Sequence, residues 1–111
     1  MEEKLRRKVH LLSQRLRYLA WTAPTFRQLD ETSPSKLSPN KVAASLIGYV
    51  ESRGAIDDRV VISLIVRLGD RLTPAHRFLM RQAAERGEVF KAEAGDLRSA
   101  REYQRVKEYL S

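Results

Sequence analysis

The chain has no cysteine, which excludes a disulfide framework, a thiolate nucleophile and a thiolate metal site. It also lacks an uncharged apolar run of about 18 residues, the length a membrane helix requires. The best apolar stretch, Val60 to Val66, falls far short. No glycine-rich loop follows a strand, and neither a nucleophile elbow nor a hydrolase-like arrangement of serine is present. His10 and His76 are the two histidines, and no carboxylate stands at a catalytic or metal-binding spacing from either. A non-enzyme is therefore expected, with no catalytic residue, metal or cofactor. The N-terminus opens on Glu2 and Glu3 and then interleaves charge with leucine, unlike the apolar core of a secretory signal. The default expectation is a cytoplasmic chain without membrane contact.

Apolar residues make up 42% of the 111 residues and charged residues 32%, a composition that folds and keeps a polar surface. The length suits one domain with a modest core. The net charge of +7 is unevenly placed. Residues 1 to 21 hold Lys4, Arg6, Arg7, Lys8, Arg15 and Arg17 against two glutamates, and residues 71 to 91 hold Arg71, Arg77, Arg81, Arg86 and Lys91 against Glu85 and Glu88. The rest of the chain balances to zero. Clustering of this kind points to a polyanionic partner.

The apolar residues repeat at helical spacing, and almost nothing alternates as a half-buried strand does. Leu5, Val9, Leu12, Leu16 and Leu19 form a narrow seam in the first helix, which Pro24 should stop. An exposed connection is expected at about residues 31–38. Ser38-Pro39 then combines a capping serine with a proline at the first helical position. A second helix buries Val42, Ala43, Leu46, Ile47 and Val50, and Gly54 is expected to end it in the left-handed conformation. The third starts at Asp57 or Asp58. Its apolar residues, Val60 to Leu68, run nearly all round it, which predicts a central helix. Thr73-Pro74 opens a fourth helix, expected to stop at Gly87, and Gly95-Asp96 introduces a fifth carrying Leu97, Ala100, Tyr103, Val106 and Leu110. The expected fold is all-α, a single-domain bundle of about five helices.

With Leu5 at the centre of the buried seam and a turn of about 100° per residue, the five seam residues fall within about 40° of it. Leu11 and Tyr18 project about 120° to 140° away and Trp21 near 160°. Arg6, His10 and Arg17 line one flank of this outer face, Lys4, Lys8 and Arg15 the other, and Arg7 lies between. Aromatics framed by arginines can stack bases while the cations hold phosphates, which is how single strands are bound without reading their sequence. Leu11, Tyr18 and Trp21 are the candidate stacking or partner contacts. Trp21 and Phe26 also suit packing beneath the loop that follows. Arg71, Arg77 and Arg81 form a second, smaller basic site. A stripe of Arg98, Arg101 and Arg105 is expected to pair within its helix with Glu102 and Glu108.

In size, basic charge, absence of cysteine and helix pattern, the whole chain resembles the small helical subunit of CRISPR effector complexes, although no diagnostic motif is shared. The resemblance implies a ribonucleoprotein of antiviral defence, in which such a subunit lines the nucleic-acid groove beside other protein subunits; it transfers no individual residue. Two other readings are open. Val61 to Leu68, the turn Gly69 to Leu72 and the helix from Thr73 to Arg86 have the lengths of a helix-turn-helix, with Arg77 and Arg81 on a DNA-recognition helix. A protein-only adaptor would use the Leu11-Tyr18 patch to receive a partner helix.

Overall fold

The computed structural model describes residues 2–111. Six α-helices follow one another: α1 (Glu3–Ala20), α2 (Phe26–Asp30), α3 (Pro39–Glu51), α4 (Asp58–Leu68), α5 (Pro74–Glu93) and α6 (Leu97–Leu110). Short 3-10 turns occupy Pro34–Lys36 and Gly69–Arg71. Among the described residues there is no strand, and no helix is long and apolar enough to cross a membrane. The fold is an all-α bundle, as the apolar spacing predicts.

The helix starts follow the capping residues. Ser38 Oγ accepts from the Lys41 N–H with Pro39 beside it, and Asp57 accepts from Arg59 N–H. Asp96 accepts from Ser99 N–H, a bond that holds its carboxyl below the usual range. Thr73 and His76 form a reciprocal capping box at α5. A second such box, between Thr25 and Gln28, starts α2, which the sequence reading missed. Five residues are too few for a period to show. Yet Phe26 and Leu29 are buried there, and Phe26 stacks on Tyr49 with ring centroids 4.7 Å apart.

Three expectations about glycine and burial are corrected. First, α3 ends with Arg53, not Gly54, in the left-handed region, at φ 59°. The amides of Arg53 and Gly54 bond back to the carbonyls of Val50 and Tyr49, which closes a Schellman turn. Arg53 is held there from outside: its guanidinium lies 3.3 Å above the Phe90 ring centre, and Lys91 Nζ donates to its carbonyl. Gly54 is needed for space, because a Cβ there would sit 2.9 Å from the Tyr49 ring.

Second, α5 runs straight through Gly87 to Glu93. A Cβ at Gly87 would lie 2.6 Å from the Tyr103 ring, so this glycine serves the close approach of α5 and α6. The stop comes at Gly95, φ 79°, where the Gly95 and Asp96 amides reach back to Ala92 and Lys91. Third, the connection before α3 is not wholly exposed. Leu37 is buried, and the Arg71 guanidinium donates to the carbonyls of Leu37 and Pro34 at 2.9 and 2.7 Å.

The hub of the bundle is α5, which packs on α6, α3 and α1, while α4 lies against α6 and α2. The all-round apolar surface of α4 is thus not buried all round. Val61, Leu64, Ile65 and Leu68 face the core, and Val66 is 58% exposed. On α1 the seam turns inward as expected, with Leu16 fully buried and Leu5, Val9, Leu12 and Leu19 half-buried. Ser45 of α3 donates to the Pro24 carbonyl and so pins the chain leaving α1.

Two outcomes are expected. Gly87→Val forces side-chain volume into the Tyr103 ring and should destabilise the fold by about 1–3 kcal/mol in urea denaturation, with little gain in helix propensity. A nearly neutral change would mean that the Tyr103 ring moves aside to accept the added volume. His76 is buried, accepts from Thr73 N–H at Nδ1 and bonds through Nε2 to Asn40 Oδ1. Burial lowers its pKa, so below about pH 6.5 the unfolded chain takes up a proton that the folded chain refuses. Stability should be level above that pH and fall as the pH drops below about 6.5. His76→Gln, which keeps a capping-box side chain, should flatten that slope in denaturation curves.

Candidate nucleic-acid interface

The outer face of α1 is built by the same periodicity that buries its seam. With Leu16 anchored and the half-buried leucines facing α3 and α5, the other side chains must project outward. Lys4, Arg6, Arg7, Lys8, Arg15 and Arg17 are all exposed. Among the described residues none of the six enters an ion pair. The cations that do pair lie elsewhere: Arg27 with Glu31, Arg67 with Asp30, Arg105 with Asp58 and Lys107 with Glu88. Glu3 complements the positive start of the α1 dipole, and Arg17 its negative end.

The aromatics of this face are open. Tyr18 is 81% exposed and Trp21 90%. Of the two aromatics suited to packing beneath the following loop, Phe26 is buried and Trp21, which leaves the helix on the side away from the seam, is not. Tyr18 and Trp21 are one turn apart, and Arg7, Tyr18 and Trp21 share the crest of the outer face. From Lys4 to Trp21 the charged and aromatic surface runs about 26 Å along the helix axis. Leu11, 60% exposed, lies off the crest, beside Lys8 and Arg15 and towards the first turn of α5.

The second basic cluster is not a comparable face. Arg71 is engaged by the carbonyls of Leu37 and Pro34. Arg77 and Arg81 are half-buried, and the Arg81 guanidinium lies 5.8 Å from the Phe78 ring centre.

On α6 the expected pairing within the helix is replaced by a bond between helices. Arg105 reaches the buried Asp58 at 3.2 Å. With Arg59, Arg98 and Arg101 it borders a concavity of about 350 Å³ that also contains Asp58 and Glu102. Carboxylate oxygens of Asp57, Asp58 and Glu102 lie within 4.8 Å of one another. Sequence spacing gave no sign of this meeting, since it depends on α6 lying across the start of α4. Its mixed charge suits internal neutralisation rather than capture of an anion.

His10 contacts Gln14, and His76 bonds to Thr73 and Asn40. The chain matches no family model, curated protein or solved structure with which it was compared.

Proposed function

We propose that the chain is a non-catalytic, cytoplasmic subunit that holds single-stranded nucleic acid along the outer face of α1 within a nucleoprotein assembly. The observation that carries this reading is the coincidence, on one helix, of six exposed cations without acidic partners and the two most exposed aromatic side chains, Tyr18 and Trp21. Phosphates of any sequence would be held by the cations, and bases by the aromatic faces. A CRISPR effector complex, whose small subunit the chain resembles in size, charge and helix pattern, is one assembly that uses such a component.

A helix-turn-helix regulator is supported less well. In that motif the second helix must stand clear enough to enter the major groove, whereas α5 is enclosed by α1, α3 and α6. Arg77 and Arg81, which would read bases, are half-buried.

Replacing Arg6, Arg7, Arg15 and Arg17 with glutamine should weaken oligonucleotide binding alike for all sequences. It should also flatten the salt dependence by up to ~0.7 to 0.9 of a slope unit per lost contact. Stability should hardly change, since exposed charges contribute little to folding. Glutamine at Arg77 and Arg81 should leave base preference unaltered; relaxed preference would favour a recognition helix. Trp21 is the only tryptophan, so its fluorescence reports the crest directly. Single strands should quench it and duplexes should not. Unchanged affinity in both folded arginine variants would reject the nucleic-acid reading.

A further inference from the structure

Between α1 and the first turn of α5 runs a groove of about 470 Å³. Leu5, Leu11 and Leu12 line it from α1, and Pro74 and Ala75 from α5. The charged side chains that line it, Lys8 and Arg15, are both cations and both exposed, and no carboxylate contributes. They stand two turns apart, with Leu11 and Leu12 between them. The α5 helix dipole adds its positive end to the same place. Thr73 caps the His76 amide and Pro74 has no N–H, so what α5 supplies is chiefly field and apolar surface.

We propose that this groove receives an acidic amphipathic helix of a partner protein, its apolar residues set against the leucines and its carboxylates beside Lys8 and Arg15. Charge complementarity selects this occupant. A nucleic acid would find cations here but a floor of leucine, proline and alanine, with no ring on which to stack a base. A second copy set groove to groove would bring Lys8 and Arg15 against their own equivalents. An acidic helix satisfies both the floor and the rim, the usual mode of helix-in-groove recognition. Leu11, which the folded chain leaves 60% exposed, would be covered by it.

The inference shares Lys8 and Arg15 with the nucleic-acid reading but not its stacking surface, because the crest of Arg7, Tyr18 and Trp21 points away from the groove. One helix would then bind a strand on its crest and a protein neighbour on its flank.

The test uses the full chain, labelled for amide NMR, and three synthetic helix-forming peptides. One carries leucines at helical spacing flanked by glutamates, the second has lysines for the glutamates, and the third has serines for the leucines. The acidic leucine peptide should shift the amides of Leu5, Leu11, Leu12 and Ala75 saturably, with the other two at least about tenfold weaker. Leu11→Asp, at an exposed position, should cost at least about tenfold with the spectrum otherwise intact. Charge reversal by Lys8→Glu with Arg15→Glu should transfer the preference to the lysine peptide. Equal binding of the glutamate and lysine peptides, an acidic peptide that leaves the groove amides unmoved, or indifference to Leu11→Asp would overturn the proposal. So would self-association abolished by Leu11→Asp, which would make the occupant a second copy.

Discussion

Tyr103 has no solvent exposure, and its hydroxyl donates to the Gly54 carbonyl 2.7 Å away. Burial pushes the phenol pKa up to about 12, so the group remains a donor throughout the range in which the protein folds. Its ring lies where a side chain at position 87 would be. One residue of α6 therefore fixes the height of that helix against α5 and against the turn that ends α3. Leaving such a buried hydroxyl without a partner costs about 1–3 kcal/mol, which makes the turn geometry at Arg53 and Gly54 part of the same constraint. Arg53 keeps its left-handed backbone through the stacking of its side chain on Phe90 and the Lys91 bond to its carbonyl, and both of those partners are on α5. The three helices are locked through a shared corner, and α1 is laid upon the frame they make.

The basic residues divide according to this frame. Cations near the joints between elements are used by it: Arg71 clasps the connection before α3, Arg67 ties α4 to Asp30 of α2, Arg105 compensates buried Asp58, and Lys107 reaches Glu88 across the α5–α6 contact. Bonding to Glu88 raises the Lys107 pKa, as expected of an ammonium beside a carboxylate. The six cations of α1 have no such structural employment. Net charge alone cannot separate these populations, because Arg71 and Arg7 look equally available in a count. Only the position of carbonyls and carboxylates in the folded chain decides which guanidinium is left for a ligand.

The legible part of the sequence was the part governed by local rules. Ser38-Pro39, Asp57, Thr73-Pro74 and Asp96 act through amides within three residues, so their helix starts could be read without knowing the fold. The α1 seam was equally plain, and with it the outward direction of the six cations and of Tyr18. What failed depended on contacts between distant residues. Gly87 resembles a helix stop in sequence, yet its meaning lies in a ring sixteen positions away. Leu37 sits among serines, prolines and lysine, yet its side chain joins the core while its carbonyl accepts from Arg71, beyond α4 in the chain. The groove beside Leu11 had no local signature either, since it exists only where α1 passes the first turn of α5.

The same packing gives α1 a distinct mechanical character. Of its eighteen residues only Leu16 is fully buried, whereas α3 buries seven of thirteen. Elements with few buried contacts open at lower free energy than the core that supports them. The C-terminal end of α1 packs on α3, where Gly48 lies beside Ala20. The N-terminal end, which carries Lys4 to Lys8, has no comparable anchor beyond Leu5 and Val9. A ligand held along the crest, or a helix seated in the flanking groove, would add contacts to the element that has fewest. A ligand bound to α1 would therefore also stabilise α1, without any change in the α3–α5–α6 frame.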